Sequence, residues 1–238
     1  MKIRTQLVAI LALFAFTTQG CVSSFTGERG NGNVETEERA IGSFHSMELS
    51  GGFDVELVKS SDKTLKLTTD NNLMDNVETY VRGGILHVKS RNVGKATEMK
   101  LEINYQTLKH ITASGAVDIR SEDVLEANDL SIESSGASEL YLTLKTNRVH
   151  FDFSGASETE LSGSTTELVF EGSGACELKA FELQADRAKI EISGAGSAQV
   201  NVSDKLEASV SGAGNVYYRG DPDNIKTDIS GAGNIRKD

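Results

Sequence analysis

The chain has 238 residues, of which 38% are hydrophobic and 25% are charged, a length that suits one large repeat domain or two small domains. Its formal net charge of −11 argues against a nucleic-acid partner, which would require a basic surface, and disfavours binding to anionic lipid surfaces. The hydrophobic content of 38% with 25% charged residues suits a soluble, mostly β protein, and glycine is abundant, at 23 residues, while proline occurs once, at Pro222.

Residues 1–20 have the organisation of a secretory leader. Lys2 and Arg4 supply a basic start, and an unbroken apolar run of ten residues follows from Leu7 to Phe16. That run is too short to span a bilayer and has the length of the hydrophobic region of a signal peptide. The sequence therefore predicts a lipoprotein-type signal peptide over residues 1–20, and export of the chain.

Cys21 stands where the leader would be cleaved. The segment Thr18-Gln19-Gly20-Cys21 resembles a bacterial lipobox, although Thr18 and Gln19 depart from the usual residues, and an ordinary signal peptide with a chance cysteine is the alternative. The resemblance to lipoproteins implies a diacylglycerol on Cys21 and a further acyl chain on its amine, and several chains give durable membrane anchoring. The other cysteine, Cys176, is predicted to fill a corner rather than to be a reactive thiol or the disulfide partner of Cys21.

Residues 21–40 are dominated by Ser, Thr, Gly, Asn and Glu and show no apolar periodicity, which predicts a flexible tether. A domain over residues 41–236 follows, and its front, Ile41–Lys109, is less regular than the rest. Ser50-Gly51-Gly52 resembles a degenerate form of the later repeats and lies 64 residues before Ser114, close to three repeat lengths. This region is predicted to form the first coils of the domain.

One short helix is expected within this front section, as an insertion or a cap. Asp70 or Asn71 would cap its start, and Gly83-Gly84 would end it. One face of the helix would carry Leu73, Met74, Val77 and Val81.

The rest of the chain is organised by seven copies of the tripeptide Ser-Gly-Ala. They begin at Ser114, Ser135, Ser154, Ser173, Ser193, Ser211 and Ser230, with successive spacings of 21, 19, 19, 20, 18 and 19 residues. A fixed period in this range is the signature of a solenoid, in which each repeat is one coil stacked on the last.

Apolar residues alternate on both sides of each tripeptide, so both flanks are predicted to be strands with one face inward. Glycine permits the corner between them, at Gly115, Gly136, Gly155, Gly174, Gly194, Gly212 and Gly231. The alanine is small enough to turn into a crowded interior. The predicted fold is all-β, a single-stranded parallel β-helix with coils of ~20 residues.

Two carboxylate ladders flank the predicted corners, since acidic residues recur two positions before the serine and two after the alanine. The second ladder consists of Asp118, Glu139, Glu158 and Glu177. Hard cations such as calcium bind six to eight oxygen ligands, so these four are weak candidates for a metal site. The calcium-roll repeat is absent, however, and a solvated acidic face is the simpler interpretation, so no cofactor is predicted.

The sequence offers no convincing catalytic group. The recurring serines are interpreted as turn residues, and Gly172-Ser173-Gly174 as a corner rather than a nucleophile elbow. The four histidines lack zinc spacing. Tyr217 is a lone candidate for stacking on a sugar.

Two stretches and the closing repeats resemble one known family. The phrase from Phe44 to Val55, the segment from Asn72 to Val81, and the Ser-Gly-Ala-Gly-Asn repeats at the end are similar to the auto-transporter adhesin head domain, also called the GIN domain. The similarity covers roughly residues 41–236. The resemblance implies a secreted or lipid-anchored protein of the kind common in Bacteroidetes, with adhesion as the expected role and no catalytic residues to transfer.

These observations favour a non-enzymatic, lipid-anchored adhesin-like or interaction module of the cell envelope, with an unidentified protein or glycan as its ligand. The alternatives are a polysaccharide-active β-helix enzyme and a cation-dependent binding module that uses the acidic ladders. Residue patterns do not distinguish the periplasmic from the surface face of the outer membrane, nor do they give the oligomeric state.

Overall fold

The computed structural model describes residues 27–238, so the predicted leader and Cys21 lie outside the described residues. The described chain is all-β, with one short 3-10 helix at Asn71–Asn76. Its strands are β1 (Val34–Ala40), β2 (Ser46–Lys59), β3 (Thr64–Asp70), β4 (Val77–Arg82), β5 (Ile85–Ser90), β6 (Met99–Tyr105), β7 (His110–Ser121), β8 (Leu125–Gly194), β9 (Ser197–Gly212), β10 (Asn215–Arg219), β11 (Asn224–Gly231) and β12 (Asn234–Lys237).

All twelve strands belong to one long sheet. The hydrogen-bonded order runs β1-β3-β6-β2-β7-β8-β9-β10-β12, with β11 also paired to β9, and with β5 paired to both β2 and β4. In this order, each strand from β2 to β12 pairs with the next strand in parallel, and β11 also pairs with β9 in parallel. The first and last strands of this order therefore lie at opposite ends of the sheet.

The tripeptides stack directly on one another. Gly51 of β2 pairs with Gly115, and Gly115 pairs with Gly136. Within β8 the stacking continues, because a Cβ atom added to Gly155 would lie 2.2 Å from the carbonyl oxygen of Gly136. Gly194, Gly212 and Gly231 complete the same column. The recurring tripeptide thus marks equivalent positions of successive passes.

The apolar columns predicted to face inward are buried. Three residues before each of the first six serines lie Ile111, Ile132, Phe151, Phe170, Ile190 and Ala208, each at most 3% exposed, whereas Thr227 at the seventh is exposed. Phe153 packs edge-on against both Phe151 and Phe170, with ring centroids 5.6 and 5.8 Å away. Aromatic pairs of this geometry add to the stability gained by burying their apolar area.

The tripeptide itself faces solvent, which corrects the prediction that its alanine turns inward. Ser114, Gly115 and Ala116 are exposed, and so are their counterparts in the following coils through Ala175. The side-chain alternation of period two continues through the corner, so Ala116 lies on the same side as Ser114. The buried residue is the next one along, for example Val117 or Cys176.

The front section folds back on β2 rather than adding three coils before β7. Ser50-Gly51-Gly52 pairs directly with Ser114-Gly115-Ala116, so the 64-residue spacing is not three coils between these corners. The intervening chain instead covers the other edge of β2, where β5 and β6 pair in parallel with its two halves. Antiparallel partners β4 and β3 follow, and β1 completes the edge.

Two predicted elements of the front section differ from the structure. The tether was predicted to extend to residue 40, but Val34–Ala40 forms β1, because its residues pair in antiparallel register with Thr64–Asp70. The helix was predicted to extend to Val81, but it ends at Asn76 and the chain continues as β4, paired with β5.

Candidate functional site

A shallow groove of about 550 Å³ runs along the stacked corners. Its floor is formed by the small residues of the tripeptide column, and one wall by an acidic ladder. The lining comprises Ala116, Ala137, Ala156, Ala175, Ala195 and Ala213, the carboxylates Asp118, Glu139, Glu158 and Glu177, and Ser138, Ser157, Cys176, Gly196 and Ser197. The groove is therefore lined mostly by small side chains and carboxylates.

The first two carboxylates of this acidic ladder bind donors from their own neighbours. The backbone N–H of Glu139 donates to Oδ1 of Asp118 over 3.1 Å, and the Tyr141 hydroxyl donates to Oε2 of Glu139 over 3.3 Å. Partial burial, followed by the charge of Glu139, raises the pKa of Asp118 above its usual range. Asp118 is consequently partly desolvated, whereas Glu139 is exposed.

The other two carboxylates share one lysine. Lys179 Nζ donates to Oε1 of Glu158 and lies 3.9 Å from Oε1 of Glu177. The hydrogen bond with Glu158 raises the pKa of Lys179, which keeps this cation charged. Two of the four carboxylates of the acidic ladder are thus paired with a lysine, whereas Asp118 and Glu139 have only the two hydrogen bonds described above.

A second acidic ladder lies on the opposite side of the corners and contains Glu133, Asp152, Glu171 and Glu191. Lys189 Nζ lies 2.7 Å from Glu191 and 3.9 Å from Glu171. A depression of about 280 Å³ beside it is lined by residues of four successive coils, most of them acidic residues or serines. Both flanks of the corners therefore combine carboxylates with an internal lysine.

No cluster of three or more histidine, cysteine, aspartate or glutamate residues within residues 27–238 could hold a metal ion. The histidines lie apart, each with its own neighbour: His110 and His150 lie 3.8 and 3.7 Å from a glutamate of the next coil. Cys176 is 1% exposed beneath the groove floor, with its thiol directed at backbone carbonyl oxygens of Phe153 and Ser173. The structure places Cys176 as a buried corner residue.

A column of basic and aromatic residues, four positions after the alanine, was missed in the sequence. Five of its seven positions are basic or aromatic, namely Arg120, Tyr141, Lys179, Tyr217 and Arg236, and the other two are Glu160 and Gln199. The guanidinium of Arg120 lies 4.9 Å from the centre of the Tyr141 ring, and Arg236 covers Tyr217 at the same distance. Tyr217 is thus half-buried under a cation rather than a free stacking surface. The ~20-residue period that revealed the carboxylates would have revealed this column too.

A search of the described residues for membrane-crossing segments finds no helix with the required length and apolar character.

Comparison with known proteins identifies one family and several solved structures. The model of the family described as "Putative auto-transporter adhesin, head GIN domain" matches residues 43–222. No curated protein matches the chain significantly.

Three solved structures share this fold. A putative adhesin from Bacteroides fragilis is 21% identical with a TM-score of 0.85, and the alignment covers 89% of this chain and all of that one. A putative lipid binding protein from Parabacteroides distasonis is 26% identical with a TM-score of 0.72, over 89% of this chain and 99% of that one. A putative adhesin from Parabacteroides merdae is 23% identical with a TM-score of 0.68, over 89% and 98%.

Proposed function

Because the chain belongs to the family of auto-transporter adhesin head GIN domains, we propose that it is a non-enzymatic binding module of the bacterial cell envelope. The single observation that carries the proposal is the family match, which spans residues 43–222 and hence most of the stacked coils. The leader and Cys21 support export and lipid anchoring in the outer membrane, with the tripeptide coils held away from the bilayer.

The stacked passes support a parallel β-solenoid as the form of this module. Eight corners, from Ser50-Gly51-Gly52 to Ser230-Gly231-Ala232, follow one another in register, and the apolar columns beside them are continuous. A chain that returns to the same column every ~20 residues winds as a β-helix. Such a fold offers long, flat faces that suit binding to an extended protein or glycan.

The groove over the corners is the surface that best fits an extended ligand. It spans six coils, its floor consists of small side chains, and Lys179 pairs with two of the carboxylates on its wall. A ligand there would meet small side chains along the floor and carboxylates along one wall. The lipid binding named for the Parabacteroides distasonis protein is not adopted, because an acidic wall disfavours anionic headgroups.

Binding is tested with the full-length chain on arrays of glycans and extracellular proteins. Ala156→Arg would fill the middle of the groove, and we expect at least a tenfold loss of affinity for any ligand found, which corresponds to about 1.4 kcal/mol. Ser164→Arg, at an exposed residue outside the groove lining, is the matched control and should bind as the unmodified chain does. Equal binding by both variants would place the ligand elsewhere.

The anchor is tested separately. Cys21→Ser should release the protein from the membrane fraction into the soluble periplasmic or culture fraction, because no acyl chain can then be attached at that position. Membrane association that survives the substitution would contradict the lipid anchor while leaving the binding role intact.

The two alternative functions have less support. Lys179 pairs with two carboxylates of the acidic ladder, and no cluster within residues 27–238 has the ligand set of a metal site, which disfavours a cation-dependent module. A calcium titration that gives heat with the unmodified chain but not with Glu158→Gln would reverse this assessment. A polysaccharide-active enzyme would need a distinct pair of carboxylates, whereas here similar carboxylates recur in successive coils. Turnover of any substrate on a panel of acidic and neutral glycans would support the enzyme hypothesis instead.

A further inference from the structure

The end of the sheet formed by β11 carries an exposed apolar edge. Ile225 and Ile229 stand above Leu206 and Val210 on the inward columns, yet they are 49% and 44% exposed while the residues beneath them are buried. Within residues 27–238, β11 pairs with β9 alone, so the N–H and C=O groups on its outer edge have no partner strand. An exposed apolar edge strand is a ready template for pairing with another strand.

Two charges on this edge are also unpaired. The same two columns contain an ion pair in an earlier coil. There, Lys189 and Glu191 lie two residues apart on one strand, and the Lys189 Nζ atom is 2.7 Å from a carboxylate oxygen of Glu191. Lys226 and Asp228 occupy the same outward columns on β11, but neither has an ion-pair partner among the described residues. The edge therefore presents one free cation and one free anion, with Thr227 between them.

We propose that β11 pairs in antiparallel fashion with β11 of a second copy of this chain, with the two-fold axis at Thr227. This register places Ile225 opposite Ile229 of the second copy, on the inward side. It places Lys226 opposite Asp228 of the second copy, on the outward side, and the same contacts recur by symmetry. Directly opposed apolar pairs and opposite charges both stabilise an antiparallel strand pair.

The neighbouring registers are disfavoured by the same residues. A shift by two positions in one direction places Lys226 opposite Lys226 of the second copy, and a shift in the other direction opposes the two copies of Asp228. A shift by one position would set isoleucine on the outward side against a charged residue. The sequence around Thr227 thus selects one register by charge and by side-chain alternation.

Pairing at this end leaves the opposite ends of the two molecules free. Because β1 lies at the other end of the sheet from β12, the β1 strands of the two copies lie at the two far ends of the pair. If Cys21 anchors each copy, a consequence that rests on the proposed function, the pair would bridge two membranes. The strand pairing itself does not depend on the anchor.

Cysteine cross-linking of the full-length chain in mild detergent tests the register. Thr227→Cys brings two thiols face to face across the two-fold axis, at a separation that a disulfide can span with small adjustment, so we expect a covalent dimer under oxidising conditions. Ile225→Cys is the matched control on the same face of the same strand; its thiol would face Ile229 of the second copy and should give no more dimer than the unmodified chain. Equal cross-linking by both variants, or none by Thr227→Cys, would overturn the proposal.

A charge swap in the Thr227→Cys background tests the pairing energy. Lys226→Asp opposes two carboxylates at each symmetric contact, and the initial rate of dimer formation should fall about tenfold. Adding Asp228→Lys restores opposite charges across the interface and should restore the rate, while circular dichroism confirms that each variant is folded. If Lys226→Asp does not change the rate of dimer formation, or if adding Asp228→Lys does not restore it, the proposed register is wrong.

Discussion

At the scale of single residues, the glycine of each tripeptide is the residue that the stack cannot replace. The seven corner glycines have φ values between +111° and +132°, a backbone region that side chains disfavour. Gly155 shows the second reason: a Cβ atom there would lie 2.2 Å from a backbone oxygen of the coil below, which cannot rotate away. Both constraints arise from how closely successive corners approach.

We expect Gly155→Ala to destabilise the protein by about 3 kcal/mol, because the left-handed φ and the overlap with Gly136 both oppose a side chain. Gly52 is the matched control, since it occupies the alanine position of its own tripeptide and a Cβ atom there would meet nothing nearer than 3.8 Å. Gly52→Ala should leave stability unchanged or raise it by about 0.5 kcal/mol. Urea unfolding followed by circular dichroism measures both, and equal effects would contradict this account.

The corner also shows what single residues reveal in a sequence. The alternation of apolar and polar residues along a strand, as at Ile190 and Ile192, predicted the inward columns. It could do so because burial of one strand face is visible in a short stretch of sequence. The direction of the alanine was wrong, since small size alone does not determine which face a residue occupies. The ion pairs of the groove wall, such as Lys179 with Glu158, depend on neighbours in other coils and become visible only once the register is known.

At the scale of elements, Asp70 connects three segments of the front section. Its carboxylate is fully buried and accepts hydrogen bonds from the backbone N–H of Gly32 at 2.7 Å and from the N–H and hydroxyl of Thr97 at 2.7 and 2.9 Å. It thereby joins the end of β3 to the segments before β1 and β6. The predicted role of Asp70 as a helix cap is not observed, because its side chain makes no capping bond.

The same residue explains why the predicted helix is short. Leu73, Met74, Val77 and Val81 have helical spacing, which is a local signal, but Val77 and Val81 are drawn into β4 by pairing with β5. The carboxylate that could have capped the helix is engaged with Thr97, 27 residues away in the chain. Long-range partners of this kind leave no local signature, so pattern alone overestimated the helix.

The buried carboxylate should make stability depend on pH in acid. Hydrogen bonds from Thr97 first, and from Gly32, lower the pKa of Asp70 below its ordinary value of 3.8. A lowered pKa means that the folded state favours the ionised form, so its stabilising contribution is complete above pH 3.8 and is lost as the pH falls through the lower folded-state pKa.

We therefore expect Asp70→Asn to lower the melting temperature at neutral pH, since an amide nitrogen replaces one acceptor oxygen facing the donors of Thr97. The difference from the unmodified chain should shrink as the pH falls below 3.8. Thermal melts across this range measure it, with Asp62→Asn, at an exposed loop residue, as the control. A difference that stays constant with pH would contradict the assignment.

At the scale of the whole molecule, the sheet grows in one direction by nearly equal additions. The period of the tripeptides predicted which later segments of the chain lie side by side, and these segments pair in parallel with their tripeptides in register. The front section escaped this reasoning: Ser50-Gly51-Gly52 was placed three coils from Ser114, whereas the two corners are direct neighbours. The number of residues between two corners gives the number of coils only where the chain does not fold back on itself. The sequence pattern did not reveal that hairpins such as β4–β5 fold the chain back in the front section.

Removal of one whole coil tests this additive organisation. Deleting residues 155–173 joins Ser154 to Gly174, restores a complete tripeptide and keeps every later residue in its column. We expect a folded protein with one cooperative thermal transition at a somewhat lower midpoint, since a repeat stack loses one unit and keeps its neighbours. Deleting the ten residues 155–164 instead shifts the columns and should abolish the cooperative transition; equal behaviour of the two deletions would contradict the solenoid.

Because the first and last strands lie at opposite ends of the sheet, the number of coils determines the length of the stack. Eight corners are separated by seven steps of ~4.8 Å, so the stack carries its far tip roughly 34 Å beyond β2. An inserted or deleted coil would move that tip by one step while leaving the chemistry of either end untouched. The distance between the two ends of the sheet can therefore change independently of the residues that either end presents.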